Sequence, residues 1–313
     1  MTIAAVPKIS RQDVVEAAAR IEGQVERTPL IPSAIGFLKC ECLQTGGSFK
    51  LRGATNRLLQ LTDVQRQRGV VAFSSGNHAQ GVAIAAQRLG IPATIVMPAD
   101  APAIKVEGTR RAGAEIIFYD RLAESREAIA ARLAEERGLV VVPSFDDVMI
   151  VAGQGSVGVE LLEQMPVPPS RIVVPCGGGG LASGIAIACP DAEVIAVEPA
   201  GWDDMRRSLE AGEIVPVGPN PPPTLCDALQ TLRVSPITYD ALANHGAKVL
   251  AVSEAQVRDA VRWAWREHGL KVEPGGAVAL ASVLAGLVAG GSLTAIVLSG
   301  GNVDPALHAE LVA

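Results

Sequence analysis

The sequence predicts an α/β protein in which parallel β-strands alternate with α-helices. Short apolar runs rich in β-branched residues recur along the chain, and the segments between them place apolar residues at helical spacing. Strands that alternate with helices in this way form parallel sheets whose faces are covered by the helices. The predicted strands are 70–73, 93–97, 115–118, 139–142, 171–175, 193–197, 248–252 and 294–299.

Length and composition fit a globular protein that is large enough for two lobes. The chain has 313 residues, of which 49% are hydrophobic and 19% are charged. A net charge of −6, only 3% aromatic residues and the lack of a basic run argue against a nucleic-acid partner. The N-terminus lacks a signal-peptide pattern, and the most apolar region, 276–290, is too short to cross a membrane. We therefore expect a cytoplasmic protein with no membrane partner, in which 276–290 is a buried helix.

The five cysteines and four histidines form no zinc-binding pattern, and no cysteine pair has CxxC spacing. Reduced thiols are therefore expected. Cys40 and Cys42 would point to the same face if they lie on a strand, where packing in the core is the expected role.

Further sequence patterns predict where helices end and where a long loop lies. Residues 124–137 have the pattern of an amphipathic helix. Glycines at 69, 90, 113, 138 and 269 mark helix ends. The proline-rich stretch "PVGPNPPPTL", residues 216–225, predicts a loop. Because ligands of such sheets bind at the carboxyl ends of strands, the polar turns after strands are the candidate sites.

A run of four glycines, Gly177, Gly178, Gly179 and Gly180, lies between a predicted strand and a predicted helix. Backbone N–H groups in such a turn converge on an anion, and the helix N-terminus adds positive charge. This predicts a phosphate cradle. Gly178, Gly180 and Gly184 loosely match a dinucleotide fingerprint with Glu198 as the ribose-binding acid, so a nicotinamide oxidoreductase is a competing hypothesis. No GK[ST] ending follows, which argues against an NTPase.

Two other strand-to-helix turns are polar. "AFSSGNHAQG" places Ser74, Ser75, Asn77 and His78 after the strand 70–73, a donor-rich set that suits a carboxylate better than simple helix capping. "VLSGGNVDP" places Ser299 after the last predicted strand, and there Asn302 and Asp304 are interpreted as caps of the final helix.

Lys50 follows two glycines, a serine and a phenylalanine in "GGSFKLRGA". A lysine in a polar turn is usually solvated. Together with a phosphate cradle and a carboxylate pocket, however, this lysine indicates a Schiff base to pyridoxal phosphate.

Motifs along nearly the whole chain resemble those of the threonine dehydratase and serine racemase group, in the same order. They are "GGSFKLRGA", "SSGNHAQG", "MPADAPAIK", "GAEIIFYD", "AGQGSVGVE", "CGGGGLASG", "TLCDALQ", "VEPGGAVALA" and "LSGGNVD". The group consists of fold type II pyridoxal-phosphate enzymes, and the resemblance implies a tryptophan synthase beta-like fold of two parallel-rich sheets with flanking helices. It further implies a large cofactor-binding domain, residues 1–68 and 144–313, and a small mobile domain, residues 69–143, that closes over substrate. The dinucleotide hypothesis explains neither Lys50 nor the other motifs.

The resemblance implies the following cofactor contacts. Lys50 forms the Schiff base and later moves the Cα proton, and Phe49 packs against the cofactor ring. Gly177 to Gly180, with the N–H of Leu181, hold the phosphate. Asn77 sits by the ring hydroxyl, and Ser299 faces the pyridine nitrogen.

The resemblance also implies substrate contacts. Ser74, Ser75, Asn77 and His78 would hold the substrate carboxylate. Arg126 matches an arginine near the substrate entrance that would attract a second carboxylate, although a solvated helix charge is the simpler interpretation. Thr231 and Arg233 lie where contacts to the substrate side chain are expected.

The implied reaction is elimination of water from L-threonine, L-serine or a related β-hydroxy amino acid, which gives a 2-oxo acid and ammonia. An amino-acid racemase acting on serine or aspartate, or a 3-hydroxyaspartate dehydratase, is the alternative. Ser75 stands where simple threonine dehydratases usually have alanine, and its hydroxyl would act as a second acid or base, or only as a donor to the carboxylate. Cys42 in place of a usual asparagine, and "TLCDALQ" in place of "T-I-A-D-G", leave side-chain specificity open. A cofactor-less amino-acid sensor is disfavoured because Lys50 is present.

Two further features follow from the resemblance. Glu198, Asp204 and the Trp202 carbonyl in "EPAGWDD" resemble a divalent-cation site, and such oxygen ligands suit Mg²⁺ or Ca²⁺. The alternative is a strand-end glutamate beside a solvated aspartate. A homodimer is also implied.

Overall fold

The structure is a computed structural model that describes residues 6–74, 76–101, 103–120 and 123–313. Ser75 lies outside the described residues. The helices are α1 (Arg11–Ile21), α2 (Lys50–Leu59), α3 (Asp63–Arg68), α4 (Asn77–Leu89), α5 (Ala103–Arg111), α6 (Arg126–Arg137), α7 (Val148–Gln164), α8 (Gly180–Ala188), α9 (Asp204–Ala211), α10 (Pro236–His245), α11 (Glu254–His268), α12 (Pro274–Leu284) and α13 (Pro305–Val312). The strands are β1 (Leu30–Ser33), β2 (Gly36–Lys39), β3 (Val70–Phe73), β4 (Ala93–Pro98), β5 (Glu115–Tyr119), β6 (Val140–Val141), β7 (Arg171–Pro175), β8 (Glu193–Pro199), β9 (Lys248–Val252) and β10 (Thr294–Val297).

The larger sheet has six strands in the order β1-β2-β10-β7-β8-β9. Only the β1–β2 hairpin is antiparallel, and the other pairs in this sheet are parallel. Its central strands are mostly apolar because helices cover both faces, one core lying on each side. Since β10 and β7 are neighbours, the turns that follow them meet at the same edge of the sheet.

The smaller sheet has four parallel strands in the order β5-β4-β3-β6. Its core includes Leu51, Ala54 and Leu58 of α2, so the helix that begins at Lys50 packs against the smaller sheet's layer. All four of these strands lie within residues 69–143, the range predicted for the small domain. Closure of that range over substrate stays a prediction.

Helix ends follow the local rules that the sequence indicates. Capping boxes built on Ser10, Ser235 and Ser253 begin α1, α10 and α11. Gly90, Gly138 and Gly269 end their helices in the left-handed region, as predicted. The amphipathic helix predicted over 124–137 is observed from Arg126, with Ser125 as its cap.

Most predicted strands are observed with ends that differ by one or two residues, but the β1–β2 hairpin was not predicted. Its strands are short, and the first contains Pro32, a residue that disfavours a strand prediction. The strand placement considered for Cys40 and Cys42 is wrong, because Cys40 follows β2 and Cys42 lies in the 3₁₀ turn Glu41–Leu43, although both are buried. The buried helix predicted over 276–290 is observed as α12, which ends at Leu284.

A buried ion network anchors α2 to α7 and to the segment after β2. Arg52 Nε and Nη2 donate to Glu41 at 2.7 and 2.8 Å, and Nη1 and Nη2 donate to Glu160 at 2.6 and 3.0 Å. Lys39 is paired with the same Glu160. Arg52, Glu41 and Lys39 are fully buried, and the two cations balance the two carboxylates. We call these four residues the Arg52 network.

Among the described residues, the chain has no helix whose length and apolar character would let it span a bilayer.

Candidate active site

A cavity of about 560 Å³ is lined by residues from the layers of both sheets. The three polar turns singled out in the sequence, after β3, β7 and β10, all reach it. Residues that line it include Lys50, His78, Gly178, Thr231 and Ser299. The structure therefore brings together side chains that are far apart in the sequence.

Lys50 is the first residue of α2 and points its amine into this cavity. The Nζ atom donates to the carbonyl of Ser144 at 3.0 Å and lies 5.1 Å from the centroid of the Phe49 ring. Desolvation lowers the pKa of Lys50 to about 8. An amine with this pKa is unprotonated far more often at neutral pH than a surface lysine, which makes it a usable nucleophile and base.

Gly177 to Gly180 form a side of the cavity that consists of backbone atoms only. Gly179 has a φ of +86°, and a Cβ atom there would lie 2.8 Å from Met205 Cε. A Cβ atom at Gly178 would overlap the ring of Phe145. Side chains are therefore excluded at these positions, and backbone N–H groups and the start of α8, with Leu181, line the space instead. This cradle fits a phosphate group.

The turn before α4 is open to a ligand. Its N-cap is Gly76, which makes no side-chain capping bond, and Gly76 N donates to Ser74 Oγ at 3.2 Å. Asn77 and His78 occupy the first two positions of the helix. Ser74, Asn77 and His78 therefore do not cap this helix with their side chains. They line the cavity, which the helix N-terminus faces.

His78 is a neutral imidazole. Its Nε2 atom lies 2.8 Å from the carbonyl of Val142 and must carry the proton, while Nδ1 has no hydrogen-bond partner among the described residues. Burial, and then the charge of Lys50, lower the pKa of His78 to about 3. The unprotonated Nδ1 cannot donate to a carboxylate, so a carboxylate at this turn would be bound by the backbone N–H instead.

Asn77 is held on both sides. Its Nδ2 atom donates to Glu273 Oε1 at 2.5 Å, and its Oδ1 atom accepts from Asn302 Nδ2 at 2.8 Å. Asn302 also donates to the carbonyl of Gly46, so its predicted role as a helix cap is wrong. Asp304 does cap α13, by accepting from the N–H groups of two residues in its first turn.

Glu273 was not predicted as a site residue. It is buried, lines the cavity and leaves Oε2 without a hydrogen-bond partner among the described residues. Desolvation, and then the charge of Asp227, raise the pKa of Glu273 to about 7. The only sequence signal is its place in "VEPGGAVALA", directly before a helix that begins with proline.

Ser299 follows β10 and is joined through the backbone to the turn that carries Lys50. Phe49 N donates to Ser299 O at 3.2 Å, and Gly301 N donates to Gly47 O at 2.8 Å. Ser48 and Gly300 form an isolated β-bridge. The backbone that carries Lys50 and the backbone that carries Ser299 are therefore bonded directly to each other.

Charged residues surround the cavity entrance. Arg126 lies over the Phe73 ring, 5.6 Å from its centroid, and Nε donates to Glu127 Oε1 at 2.8 Å. Lys105 of α5 pairs with Asp227, an ion pair that was not predicted.

Thr231, predicted to contact the substrate side chain, also lines the cavity and packs on Gly177. A Cβ atom at Gly177 would lie 3.2 Å from Thr231 Oγ1.

The acidic residues at the end of β8 and the start of α9 are not among those that line the cavity. Glu198 is buried and accepts from the N–H groups of Met205 and Arg206 at 3.1 and 2.9 Å. Asp204 is buried too, so its interpretation as a solvated aspartate is wrong, and neither carboxylate oxygen has a hydrogen-bond partner among the described residues. Among the residues that the structure describes, no group of three His, Cys, Asp or Glu side chains is placed to hold a metal ion.

Comparison with known proteins agrees with this geometry. The model of a family described as "pyridoxal-phosphate dependent enzyme" matches residues 21–300. The L-threo-3-hydroxyaspartate ammonia-lyase of a Pseudomonas species is 43% identical over 97% of this chain and 98% of its own length. The L-threonine ammonia-lyase of Thermotoga maritima is 39% identical over 95% of this chain and 76% of its own length. The solved structure of maize serine racemase matches with a TM-score of 0.92 and 38% identity over 97% of each chain.

These matches confirm the predicted α/β fold of the fold type II enzymes and contradict the nicotinamide oxidoreductase hypothesis. The chain belongs to the pyridoxal-phosphate dependent enzyme family.

Proposed function

We propose that this protein is a pyridoxal-phosphate-dependent ammonia-lyase that eliminates water from a β-hydroxy amino acid such as L-threonine or L-serine, giving a 2-oxo acid and ammonia. The observation that carries the proposal is Lys50, whose amine has a lowered pKa and points into a cavity that also contains a side-chain-free glycine cradle. The two ammonia-lyase relatives support it.

The chain's own groups divide the work as follows. When bound, the cofactor supplies an electron sink for the negative charge that develops at the substrate Cα. The glycine cradle and the N–H of Leu181 would hold its phosphate, and Phe49 and Asn77 would contact its ring. Glu273 and Asn302 fix the side-chain amide of Asn77 for this role.

Substrate binding is assigned to the start of α4, and proton transfer is assigned to Lys50. The N-terminus of α4, with Ser74, Ser75 and the backbone of His78, binds the substrate carboxylate. Lys50 anchors the cofactor and then moves the Cα proton. Ser299 lines the cavity and would offer the pyridine nitrogen of the cofactor a neutral hydroxyl rather than a charge, which suits elimination of the β-hydroxyl.

Two alternatives share this site. A racemase acting on serine or aspartate is favoured by the similarity to maize serine racemase and by a serine at position 75. A 3-hydroxyaspartate dehydratase is favoured by the Pseudomonas relative and by the basic side chains around the cavity.

The test is a substrate panel with the holoenzyme: L- and D-serine, L-threonine, and threo- and erythro-3-hydroxyaspartate, each followed for 2-oxo acid release and for inversion at Cα. We expect oxo-acid release from at least one L-substrate. If Ser75→Ala removes inversion and spares elimination, Ser75 is a second acid or base; unchanged inversion and elimination would contradict that role. Release of oxo acid from none of these substrates would overturn the ammonia-lyase proposal.

We further propose a divalent-cation site at Glu198, Asp204 and the Trp202 carbonyl. Its support is the pair of unpartnered oxygens of the buried Asp204 beside the buried Glu198. Hard oxygen ligands suit Mg²⁺ or Ca²⁺.

Binding of the ion to the folded state should raise the melting temperature by about 5 °C at a concentration near 100 times Kd. Differential scanning fluorimetry with each ion is the measurement. Glu198→Ala should lose the shift, whereas Glu193→Ala, a change at the other end of the same strand, should keep it. No shift in the wild-type protein with either ion would refute the site.

Three expectations remain proposals. Residues 69–143 close over the bound substrate, the protein forms a homodimer, and it acts in the cytoplasm on small amino acids.

A further inference from the structure

We propose that the ion pair between Lys105 and Asp227 holds the layers of the two sheets together across the active-site cavity, which makes both of them positioning residues for substrate binding. We call these two residues the interlayer pair. The inference rests on the proposed ammonia-lyase function and on the proposed closure of residues 69–143. It identifies the contact that keeps the closed form in place.

The first support is that the pair joins two different parts of the fold. Lys105 belongs to α5, whose Val106 packs in the core of the smaller sheet. Asp227 begins the 3₁₀ turn Asp227–Leu229, and Leu229 packs in a core of the larger sheet. Of the ion pairs formed between residues that the structure describes, this is the one that connects residues 69–143 with the rest of the chain.

The second support is the unequal burial of the two side chains. The side chain of Lys105 is 8% exposed, whereas that of Asp227 is 49% exposed. A desolvated ammonium group is costly unless it is paired, so Lys105 depends on Asp227 as long as the layers are together. When the layers separate, water replaces the carboxylate. The pair therefore stabilises the closed form relative to the open one.

The third support is the position of Lys105 beside the turn that is proposed to bind the substrate α-carboxylate. A Cβ atom added to Gly76, the N-cap of α4, would lie 3.7 Å from Lys105 Nζ. Helices α4 and α5 also touch each other, since a Cβ atom at Gly108 would lie 3.3 Å from Gln80 Cδ. A contact that holds Lys105 in place therefore also holds the start of α4.

The opposite side of the contact is anchored near the phosphate cradle. Glu254 accepts from Thr224 Oγ1 at 2.6 Å and from Leu225 N at 3.0 Å, just before Asp227. Leu229, at the end of the same 3₁₀ turn, has its Cα atom 3.3 Å from where a Cβ atom at Gly177 would lie. The interlayer pair thus fixes the distance between the carboxylate turn and the cradle.

Glu273 is the other carboxylate in this cluster. The charges of both Asp227 and Lys105 act on it, and its Oε2 has no hydrogen-bond partner among the described residues. Its Oε1 accepts from Asn77. Glu273 belongs to α12 at its N-cap, so a shift of Lys105 toward Glu273 would still leave the 3₁₀ turn of Asp227 unbound.

A direct bond from Lys105 to the substrate carboxylate is the competing explanation. The two explanations predict opposite effects for a change at Asp227. If Lys105 bound the substrate directly, removal of the Asp227 charge would free the ammonium group and eliminate a repulsive anion, which would lower KM. If the interlayer pair keeps the layers together, the same change raises KM.

The experiment compares the wild-type holoenzyme with Lys105→Met, Asp227→Asn and the double variant. KM and kcat are measured with the L-substrate that is most active in the panel above. Each single change should raise KM by about tenfold and change kcat less, because the open form releases substrate. The double variant should be no worse than either single one, since both remove the same contact. Lys105→Arg should keep most of the wild-type affinity, because it can still pair with Asp227.

Arg137→Met is the matched control, because Arg137 forms an exposed ion pair with Glu115 inside the smaller sheet's layer. Its KM should equal that of the wild type. An equal rise in KM for Arg137→Met would overturn the inference, and so would an unchanged KM in both single variants of the interlayer pair. Losses that multiply to about hundredfold in the double variant, or a lower KM in Asp227→Asn, would also overturn it.

A second readout does not require turnover. Hydrogen–deuterium exchange of the substrate-free holoenzyme should be about tenfold faster in α5 and in the first turn of α4 for each single variant, and no faster in the double variant. Peptides from α8, in the other layer, should exchange at the wild-type rate, which separates local opening from a general loss of stability. Unchanged exchange in α5 would contradict the inference. If no substrate is turned over while α5 exchanges faster, the ammonia-lyase proposal fails and the interlayer pair stands.

Discussion

Replacing Lys50 by alanine should abolish the Schiff-base absorbance of the holoenzyme and reduce oxo-acid release by at least about 10³-fold. In the proposed mechanism the amine is both the covalent anchor and the proton-transfer group, and general acid–base catalysis alone contributes roughly 10²–10⁴-fold. Because desolvation lowers the pKa of Lys50 to about 8, this amine should outcompete surface lysines for the cofactor aldehyde at neutral pH. Borohydride reduction followed by peptide mass spectrometry should therefore find the adduct on the peptide that contains Lys50.

Two lysines serve as controls for this experiment. Lys8 is exposed near the N-terminus, and Lys8→Ala should leave absorbance and activity unchanged. Lys105 is buried at the same cavity, but its amine is already held in an ion pair with Asp227. A reduced adduct on Lys105 in the wild-type protein, or a coloured Lys50→Ala protein, would show that the anchor has been assigned to the wrong residue.

Replacing Arg52 by methionine should cost about 3–5 kcal/mol of the free energy of unfolding, because it leaves Glu41 buried without its partner. Burial raises the pKa of Glu41, but the charge of Arg52 and its hydrogen bonds more than reverse this effect and keep the pKa below its ordinary value. Without Arg52, burial should raise the pKa of Glu41, and this carboxyl is then expected to bind a proton. Urea unfolding followed by circular dichroism measures the loss.

Arg27→Met is the matched control, because Arg27 forms a salt bridge with Glu163 in which both side chains are about half exposed. Exposed pairs contribute only about 0–1 kcal/mol. A similar loss for the two variants would mean that the Arg52 network is not desolvated in solution. Since Arg52 lies within one turn of helix from Lys50, the Arg52→Met protein should also hold the cofactor less tightly.

The parts of the site that could be predicted from sequence are those whose residue types serve few other purposes in such a pattern. Four consecutive glycines between a strand and a helix indicate an anion cradle, and their neighbours in the structure show why no side chain fits at Gly178 or Gly179. Lys50 was recognisable because it follows a glycine-containing turn and because two other turns implied a phosphate and a carboxylate. Alternation of strands and helices was sufficient to predict the parallel sheets.

What could not be predicted depends on contacts between distant segments. Asn302 is of a residue type that often caps helices, but its side-chain amide instead donates to Gly46 O and Asn77 Oδ1. Glu273 looks like an ordinary residue before a helix, and only burial beside Asn77 reveals it. The pairing of Lys105 with Asp227 joins α5 to a turn more than a hundred residues later, and nothing local to either residue encodes it.

The backbone bonds between the turn of Lys50 and the turn of Ser299 have a consequence for the order of assembly. Roughly 250 residues of chain separate the two turns, yet Phe49 N donates to Ser299 O and Gly301 N to Gly47 O. Contacts of such long sequence separation form late in folding, since closing a long loop costs entropy before any bond compensates for it. During synthesis on the ribosome, β2 therefore cannot pair with β10 until the segment around residue 301 has emerged. Capture of the cofactor would then mark the completion of the chain's tertiary structure rather than an early step that guides it.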